Sequence, residues 1–211
     1  DGSLVCVENT ANRGGGTCYE QEVLDAIAEV SKAKNCSTHI DGARIFNASV
    51  ATNTPLRRMT RDYDSISICL SKGLGAPVGS VLVGSEEFIG QAHRWRKMFG
   101  GGMRQSGVLA AAGMYALENN IQRMEDDHRR AQSIARAIDE MDHVSVDVDA
   151  VQTNMVYFSA NGFTASEVSQ KMAKAGIDMF DISPTHCRIV THLHITDQDV
   201  ERVIDALSTL S

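Results

Sequence analysis

The alternation of apolar and amphipathic segments in the first third of the chain constrains the fold most strongly. A continuous apolar run over residues 3–9 predicts a strand buried on both faces, and runs at 38–40 and 66–70 predict two more strands. An amphipathic segment at 19–34 and a segment at 45–52 are predicted as the helices between them. Strands that alternate with helices in one sheet run parallel, with right-handed crossovers. The sequence therefore predicts an α/β fold built on a mostly parallel sheet.

A fourth strand is predicted at 80–84, and its connection to the third is too short for a helical crossover. We therefore expect it to run antiparallel to the third strand. A helix follows over 85–99, and its apolar spacing is helical. In the first predicted helix, Val23, Ile27 and Val30 form the expected apolar face.

A long helical pattern then runs from Ser106 to Met141 and is predicted as one helix, kinked near Asn119 and Asn120. The segments beyond it alternate as short strands and two helices, which is typical of a small α+β domain. We therefore predict a large domain over 1–127 and a small C-terminal domain over 128–211, linked by the helix.

Composition and charge exclude several classes of partner. The 211 residues are 43% apolar and carry a formal net charge of -7, which argues against a nucleic-acid or anionic-membrane surface. No apolar run approaches the roughly 20 residues that a membrane span requires. Five cysteines at irregular spacing, without a C-x-x-C pair, predict reduced thiols and a cytoplasmic location. The seven histidines form no metal-binding motif, so we predict no metal site.

The segment 65–80 places a lysine where a strand gives way to glycine-rich backbone. The alternating residues Ile66, Ile68 and Leu70 predict a strand ending at Ser71 and Lys72, and glycines then forbid regular structure. An amine desolvated at such a position becomes nucleophilic and can form a Schiff base with a carbonyl cofactor such as pyridoxal phosphate. The alternative is that Lys72 merely follows the strand and caps a turn.

Polar side chains are expected at the carboxyl ends of all three parallel strands. Glu8 and Asn9 end the first strand, Asp41 ends the second and Lys72 ends the third. Ligands of open parallel sheets bind at that edge. A carboxylate there, for which Asp41 is the candidate, can keep the ring nitrogen of pyridoxal phosphate protonated. Asp41 could equally be a turn or helix-capping residue.

Three long segments resemble one enzyme family. HIDGARIFNA at 39–48, ICLSKGLGAPVGSVLVG at 68–84 and RWRKMFGGGMRQSGVLAAAGMYAL at 94–117 closely resemble the low-specificity L-threonine aldolases. These belong to the β-eliminating lyase group of fold-type-I pyridoxal-phosphate enzymes. The resemblance extends from Glu8 to Leu193 and implies that 1–127 is the C-terminal part of a cofactor-binding large domain.

The resemblance implies a role for each of several residues. Lys72 would bind pyridoxal 5'-phosphate covalently, Asp41 would contact its ring nitrogen, and Arg44 would lie near the cofactor hydroxyl and the substrate carboxylate. Arg188 matches the small-domain arginine that binds the carboxylate, a task that suits a guanidinium group.

The family also presents basic residues near its active site, in the positions of Lys97 and Arg104, from a neighbouring subunit. Those two residues could instead be a solvated helix face and a glycine-flanked turn. The resemblance implies a homodimer or homotetramer acting on a small amino acid.

The implied reaction is retro-aldol cleavage of L-threonine or L-allo-threonine to glycine and acetaldehyde, in threonine catabolism and glycine biosynthesis. Two departures from the family pattern stand out. Ala11 occupies the position where the family commonly has a histidine, and the family has further chain, including its phosphate-binding helix start, ahead of residue 1. We therefore expect the sequence to lack an N-terminal portion. The alternatives are β-elimination or aldol cleavage on another amino acid, or a catalytically incomplete fragment.

Overall fold

The computed structural model describes residues 3–210, which form two compact units. The first unit comprises the chain up to Thr10 together with Cys18–Gln122. The second comprises Ala11–Thr17 together with the chain from Arg123 onward. The predicted boundary lay after residue 127, and the sequence did not suggest that residues 11–17 would join the later unit.

The first unit contains a four-stranded sheet in the order β1-β2-β3-β4. The first three strands are parallel and β4 is antiparallel to β3, which confirms the predicted α/β class and the antiparallel fourth strand. The elements are β1 (Leu4–Glu8), α1 (Gln21–Ala33), β2 (Ser37–Asp41), α2 (Ile45–Thr52), α3 (Leu56–Thr60), β3 (Ser65–Cys69), β4 (Ser80–Gly84), α4 (Glu86–Met98) and α5 (Gly107–Asn119).

The second unit contains an antiparallel sheet in the order β5-β6-β8-β7 and three helices. Its core is one continuous apolar cluster that includes Ile134, Phe158 and Val168. The predicted strand at 177–180 is shorter and later, because only Phe180 and Asp181 pair with β8. The elements are α6 (Met124–Asp139), β5 (Val144–Val146), β6 (Met155–Ala160), α7 (Ala165–Lys174), β7 (Phe180–Asp181), β8 (Cys187–Val190) and α8 (Asp197–Ser208).

The prediction of one helix over 106–141 is wrong. Helix α5 ends at Asn119, with Asn120 as its C-cap, and α6 begins at Met124. The side-chain amide of Asn119 donates to the carbonyl of Tyr115, and that of Asn120 donates to the carbonyl of Leu74 in an earlier loop. Asparagine side chains that hydrogen-bond to the backbone compete with helix continuation. The apolar periodicity on both sides of the two asparagines therefore predicted a longer helix than the one that forms.

The predicted burial of two elements is also wrong among the residues described. Strand β1 was expected to be buried on both faces, but Leu4 is 60% exposed. Helix α1 buries Leu24, Ala28 and Ser31 instead of the predicted face, and leaves Val23 and Val30 exposed. No helix in residues 3–210 is long and apolar enough to cross a bilayer.

Candidate active site

The carboxyl end of β2 holds Asp41 between its two neighbouring strands. Glu8 of β1 and Ser67 of β3 are its direct partners in the parallel ladder. Oδ1 of Asp41 accepts a hydrogen bond from the amide of Ala43 at 3.0 Å, and the carboxylate is exposed to solvent. One carboxylate oxygen is therefore held by the turn, as expected of an Asx-type turn, while the side chain stays accessible at the sheet edge.

The turn after Asp41 depends on a glycine. A Cβ on Gly42 would lie 2.9 Å from both the carbonyl of Ser67 and a methyl carbon of Ile66. The amide of Gly42 donates to that carbonyl at 2.8 Å. The close approach to β3 lets the chain leave the sheet sharply, and Arg44 then lies half-buried at the N-cap position of α2.

Lys72 lies in the loop between β3 and β4, shortly beyond the end of β3 at Cys69. The amide of Gly75 donates to the carbonyl of Lys72 at 2.8 Å, and the amide of Ala76 donates to the carbonyl of Leu70 at 3.0 Å. Gly75 has a φ of +75°, which favours glycine. The loop is therefore a hydrogen-bonded turn that fixes the backbone of Lys72.

Helix α5 and its C-cap residue pack against this loop. Leu74 is buried, and its carbonyl accepts a hydrogen bond of 2.7 Å from the side chain of Asn120. Gly113 lies so close to Leu70 that a Cβ there would be 3.1 Å from a Leu70 methyl group. The side chain of Lys72 is exposed. Residues 3–210 therefore do not desolvate its amine, contrary to the expectation from the sequence.

The end of β1 contributes two polar residues to the same edge of the sheet. Asn9 and Thr10 are completely buried, and Asn9 Nδ2 and Thr10 Oγ1 have no hydrogen-bond partner among the residues described. The amide of Asn9 donates to the carbonyl of Asp41 at 3.0 Å. Sequence reasoning placed Asn9 at this edge without a role, and unpaired buried polar atoms are a signal that only coordinates reveal.

These residues fit a pyridoxal-phosphate site. The accessible carboxylate of Asp41 ends β2, and the accessible amine of Lys72 follows the adjacent parallel strand β3. Asn9 adds an unpaired donor at the end of the next strand. An amine, an acid and hydrogen-bond donors match the aldehyde, the ring nitrogen and the oxygen atoms of this cofactor.

Arg188 lies on β8 of the second unit, where strand alternation directs it away from the core. Its neighbours Cys187 and Ile189 are buried, with 0% and 7% of their surface exposed. Nη1 of Arg188 donates to Oδ1 of Asn12 at 2.7 Å, and Nε is buried without a hydrogen-bond partner in the described chain. Burial raises the pKa of the Cys187 thiol to about 11, so the thiol on the core face of β8 stays neutral.

The predicted site residues therefore divide between the two units. Asp41, Arg44 and Lys72 belong to the first unit and Arg188 belongs to the second. Lys97 in the last turn of α4 and Arg104 after it are exposed residues of the first unit. Sequence reasoning missed Asn12, because no local pattern connects residue 12 with residue 188.

Comparisons with known proteins identify a matching family and similar enzymes. The family model described as beta-eliminating lyase matches residues 1–161. The low-specificity L-threonine aldolase of Escherichia coli K12 is 44% identical over 200 residues, covering 95% of this chain and 58% of the relative. Low-specificity L-threonine aldolase 1 of Arabidopsis thaliana is 42% identical, covering 93% of this chain and 56% of the relative. The chain thus spans less than two thirds of the length of these relatives.

Solved structures share the fold. The threonine aldolase of Leishmania major superposes with a TM-score of 0.82 at 18% identity, over 99% of this chain and 61% of that one. A ureidoglycine-glyoxylate aminotransferase of Bacillus subtilis superposes with a TM-score of 0.69 at 15% identity, over 98% of this chain and 59% of that one. Because the beta-eliminating lyase model matches residues 1–161, the chain belongs to the β-eliminating lyase family, and its fold is that of the fold-type-I pyridoxal-phosphate enzymes.

Proposed function

We propose that the whole protein is a threonine aldolase that uses pyridoxal 5'-phosphate to cleave L-threonine or L-allo-threonine to glycine and acetaldehyde. This role would place it in threonine breakdown and glycine formation. The support is the 44% identity to a bacterial enzyme of that name, together with the family match. The observation that carries the proposal is that Asp41 ends β2 while Lys72 follows the adjacent parallel strand β3.

In this proposal Lys72 holds the cofactor through its ε-amino group, and the Asp41 carboxylate faces the ring nitrogen. Arg44 contributes to both cofactor and substrate binding. When bound, the cofactor supplies an electron sink for the electron pair left as the Cα–Cβ bond breaks. The hydroxyl proton leaves the substrate, acetaldehyde departs, and Cα gains a proton to give glycine.

Arg188 would bind the substrate carboxylate and so orient the bond that breaks. A guanidinium group is always charged and can form two parallel hydrogen bonds to a carboxylate, which suits an orienting role. Fixed orientation contributes to rate by removing unproductive geometries before the reaction. Ala11 has no side chain able to accept the hydroxyl proton, so the base must be another group.

We further propose that the protein is a cytoplasmic homodimer or homotetramer, in which Lys97 and Arg104 lie near the active site of a neighbouring subunit. All five cysteines are free, which supports a reducing compartment. The exposure of both basic residues beside the glycines at 100–102 leaves them accessible to a second copy.

The family match also favours a second candidate, β-elimination from another amino acid, because lysine and aspartate serve both reactions. A panel of β-hydroxy and β-substituted amino acids separates the two candidates. Acetaldehyde from threonine supports aldol cleavage, whereas pyruvate and ammonia from serine would support elimination.

The proposal is tested on the full-length protein loaded with pyridoxal phosphate and treated with borohydride. We expect a reduced adduct on the peptide that contains Lys72, and acetaldehyde release from threonine before reduction. Lys72→Ala should lose both, while Lys34→Ala, a lysine at the C-cap of α1, should keep both. An adduct on another lysine, or acetaldehyde release by Lys72→Ala, would contradict the assignment.

A further inference from the structure

Three side-chain hydrogen bonds join the segment 11–17 to the rest of the second unit. Thr153 donates to the carbonyl of Gly16 at 2.7 Å, and the Tyr157 hydroxyl donates to the carbonyl of Asn12. The third bond joins Nη1 of Arg188 to Oδ1 of Asn12. Asn12 is therefore held by its backbone while its side chain holds the guanidinium group.

Gly16 keeps this segment against the sheet. Its φ is +79°, and a Cβ there would lie 2.6 Å from the hydroxyl of Thr153. Only glycine satisfies both conditions without displacing a neighbour. The path of residues 11–17 is thus fixed by contacts at both ends, which fixes the position of Asn12 between them.

Arg188 is held from three sides within the second unit. Tyr157 on β6 and Phe180 on β7 are its direct cross-strand partners, so all three side chains lie on one face of the sheet. The guanidinium carbon lies 5.0 Å from the centre of the Phe180 ring, within the range of a cation–π interaction. Asn12 accepts a hydrogen bond from Nη1. These neighbours leave the guanidinium group few orientations.

The contact with Asn12 leaves one edge of the guanidinium group for a ligand. In arginine, the Nε–H and one Nη2–H lie on the same edge and together match the two oxygens of a carboxylate. Nε is buried and has no partner in residues 3–210, so this donor is desolvated without compensation. A carboxylate on the Nε–Nη2 edge would satisfy it.

We propose that Asn12 and Tyr157 are positioning residues for Arg188, which present its Nε–Nη2 edge to the α-carboxylate of the amino-acid substrate. This inference rests on the proposed function. Asn12 acts directly on the guanidinium group, and Tyr157 acts by fixing the backbone of Asn12. The segment 11–17 is thereby part of the carboxylate-recognition machinery.

The test compares ligands with and without a carboxylate. Glycine and ethanolamine are titrated calorimetrically into the full-length protein loaded with pyridoxal phosphate. We expect Asn12→Ala to weaken glycine binding about tenfold and Tyr157→Phe about threefold, with ethanolamine affinity unchanged within about twofold. For threonine cleavage, KM should rise in parallel while kcat changes little.

Asn12→Asp provides a sharper distinction from a structural role. The variant keeps the shape and the acceptor atom but places a negative charge beside Arg188, which competes with the ligand carboxylate. We expect glycine binding to weaken at least as much as in Asn12→Ala. A purely structural asparagine would tolerate this nearly isosteric change.

The matched control is Asn161→Ala, which removes an asparagine whose amide donates to the carbonyl of Asp142 in a turn of the same unit. We expect no change in the preference for glycine over ethanolamine. Equal losses for both ligands in the Asn12 and Tyr157 variants, or no loss for either, would overturn the inference.

Arg188→Ala separates this inference from the proposed function. If it abolishes the preference for glycine while Asn12→Ala does not affect it, only the inference is overturned. If Arg188→Ala leaves the preference intact, Arg188 does not bind the carboxylate and that part of the proposed function fails as well. The Lys72 adduct is measured independently of both results.

Discussion

Asp41 illustrates how a turn can fix a charged group without burying it. Its Oδ1 atom accepts a hydrogen bond from Ala43, two residues later, and its backbone carbonyl accepts one from Asn9. The carboxylate is therefore held by the amide of Ala43, and the backbone of Asp41 is held by the residue that follows β1. The turn interpretation and the cofactor interpretation of Asp41 are compatible, because the turn uses only one oxygen.

Asp41→Asn should separate the charge of this group from its shape. The amide oxygen can still accept the bond from Ala43, so we expect the midpoint of thermal unfolding to be preserved. Loss of the negative charge should lower kcat for threonine cleavage about 100-fold or more, as with other preorganised electrostatic contacts. Steady-state kinetics and thermal unfolding of the full-length protein measure the two effects.

The control is Asp62→Asn, a carboxylate paired with its neighbour Arg61 just before β3. Its kcat should match that of the unmodified protein. If Asp41→Asn retained full activity, the assignment of Asp41 to the ring nitrogen would be wrong.

At the scale of elements, helix α5 determines the conformation of the lysine loop. Because Gly113 has no side chain, Leu70 packs closely against the helix. The C-cap residue Asn120 donates a hydrogen bond to the carbonyl of Leu74. The C-terminal end of α5 therefore helps to fix the conformation of the loop. Such a contact joins residues 46 positions apart, and periodicity cannot reveal it.

Asn120→Ala should loosen the lysine loop. The buried carbonyl of Leu74 would lose its donor, which typically costs about 1–3 kcal/mol of unfolding free energy. We expect lower stability in urea unfolding and a several-fold lower kcat/KM for threonine, about threefold to tenfold.

Asn119→Ala is the neighbouring control, because Asn119 bonds only within its own helix, to the carbonyl of Tyr115. We expect its stability and activity to stay close to those of the unmodified protein. Similar losses in the two variants would show that the helix end matters in general and the Leu74 contact does not.

At the scale of the whole molecule, the first unit exposes many large apolar side chains. Phe99 is 82% exposed at the end of α4, where it stacks on Trp95 with ring centroids 5.7 Å apart, and Val108 on α5 is 86% exposed. All five residues of β4 are exposed. Apolar surface of this kind marks an interaction site in a folded protein, and the proposed assembly of several copies would cover it.

Phe99→Ser should weaken that assembly. Sedimentation of the full-length protein is expected to show a dissociation constant raised at least about tenfold, the effect of truncating a buried aromatic residue at an interface. Val30→Ser, which removes an exposed apolar residue from α1, should leave the assembly unchanged. An unchanged mass distribution for Phe99→Ser over a dilution series would contradict the role of this surface.

The sequence by itself determined the parallel direction of the first three strands and the antiparallel fourth, because these follow from local periodicity and connection length. It missed the short helix α3 and the break between α5 and α6. It also predicted Lys72 and Asp41 as site residues, since strand ends and glycines are local signals. The bounds of α2 agree with the predicted 45–52. The resemblance to a family added the prediction that Arg188 binds the substrate carboxylate.

Only the tertiary structure decided which faces are buried, where the long helical pattern breaks, and that residues 11–17 join the second unit. Each of these depends on contacts between residues far apart in the chain, such as Asn12 with Arg188 and Asn120 with Leu74. Hydrogen bonds of this kind leave no periodic trace in the sequence, because a single polar residue at each end suffices to form them.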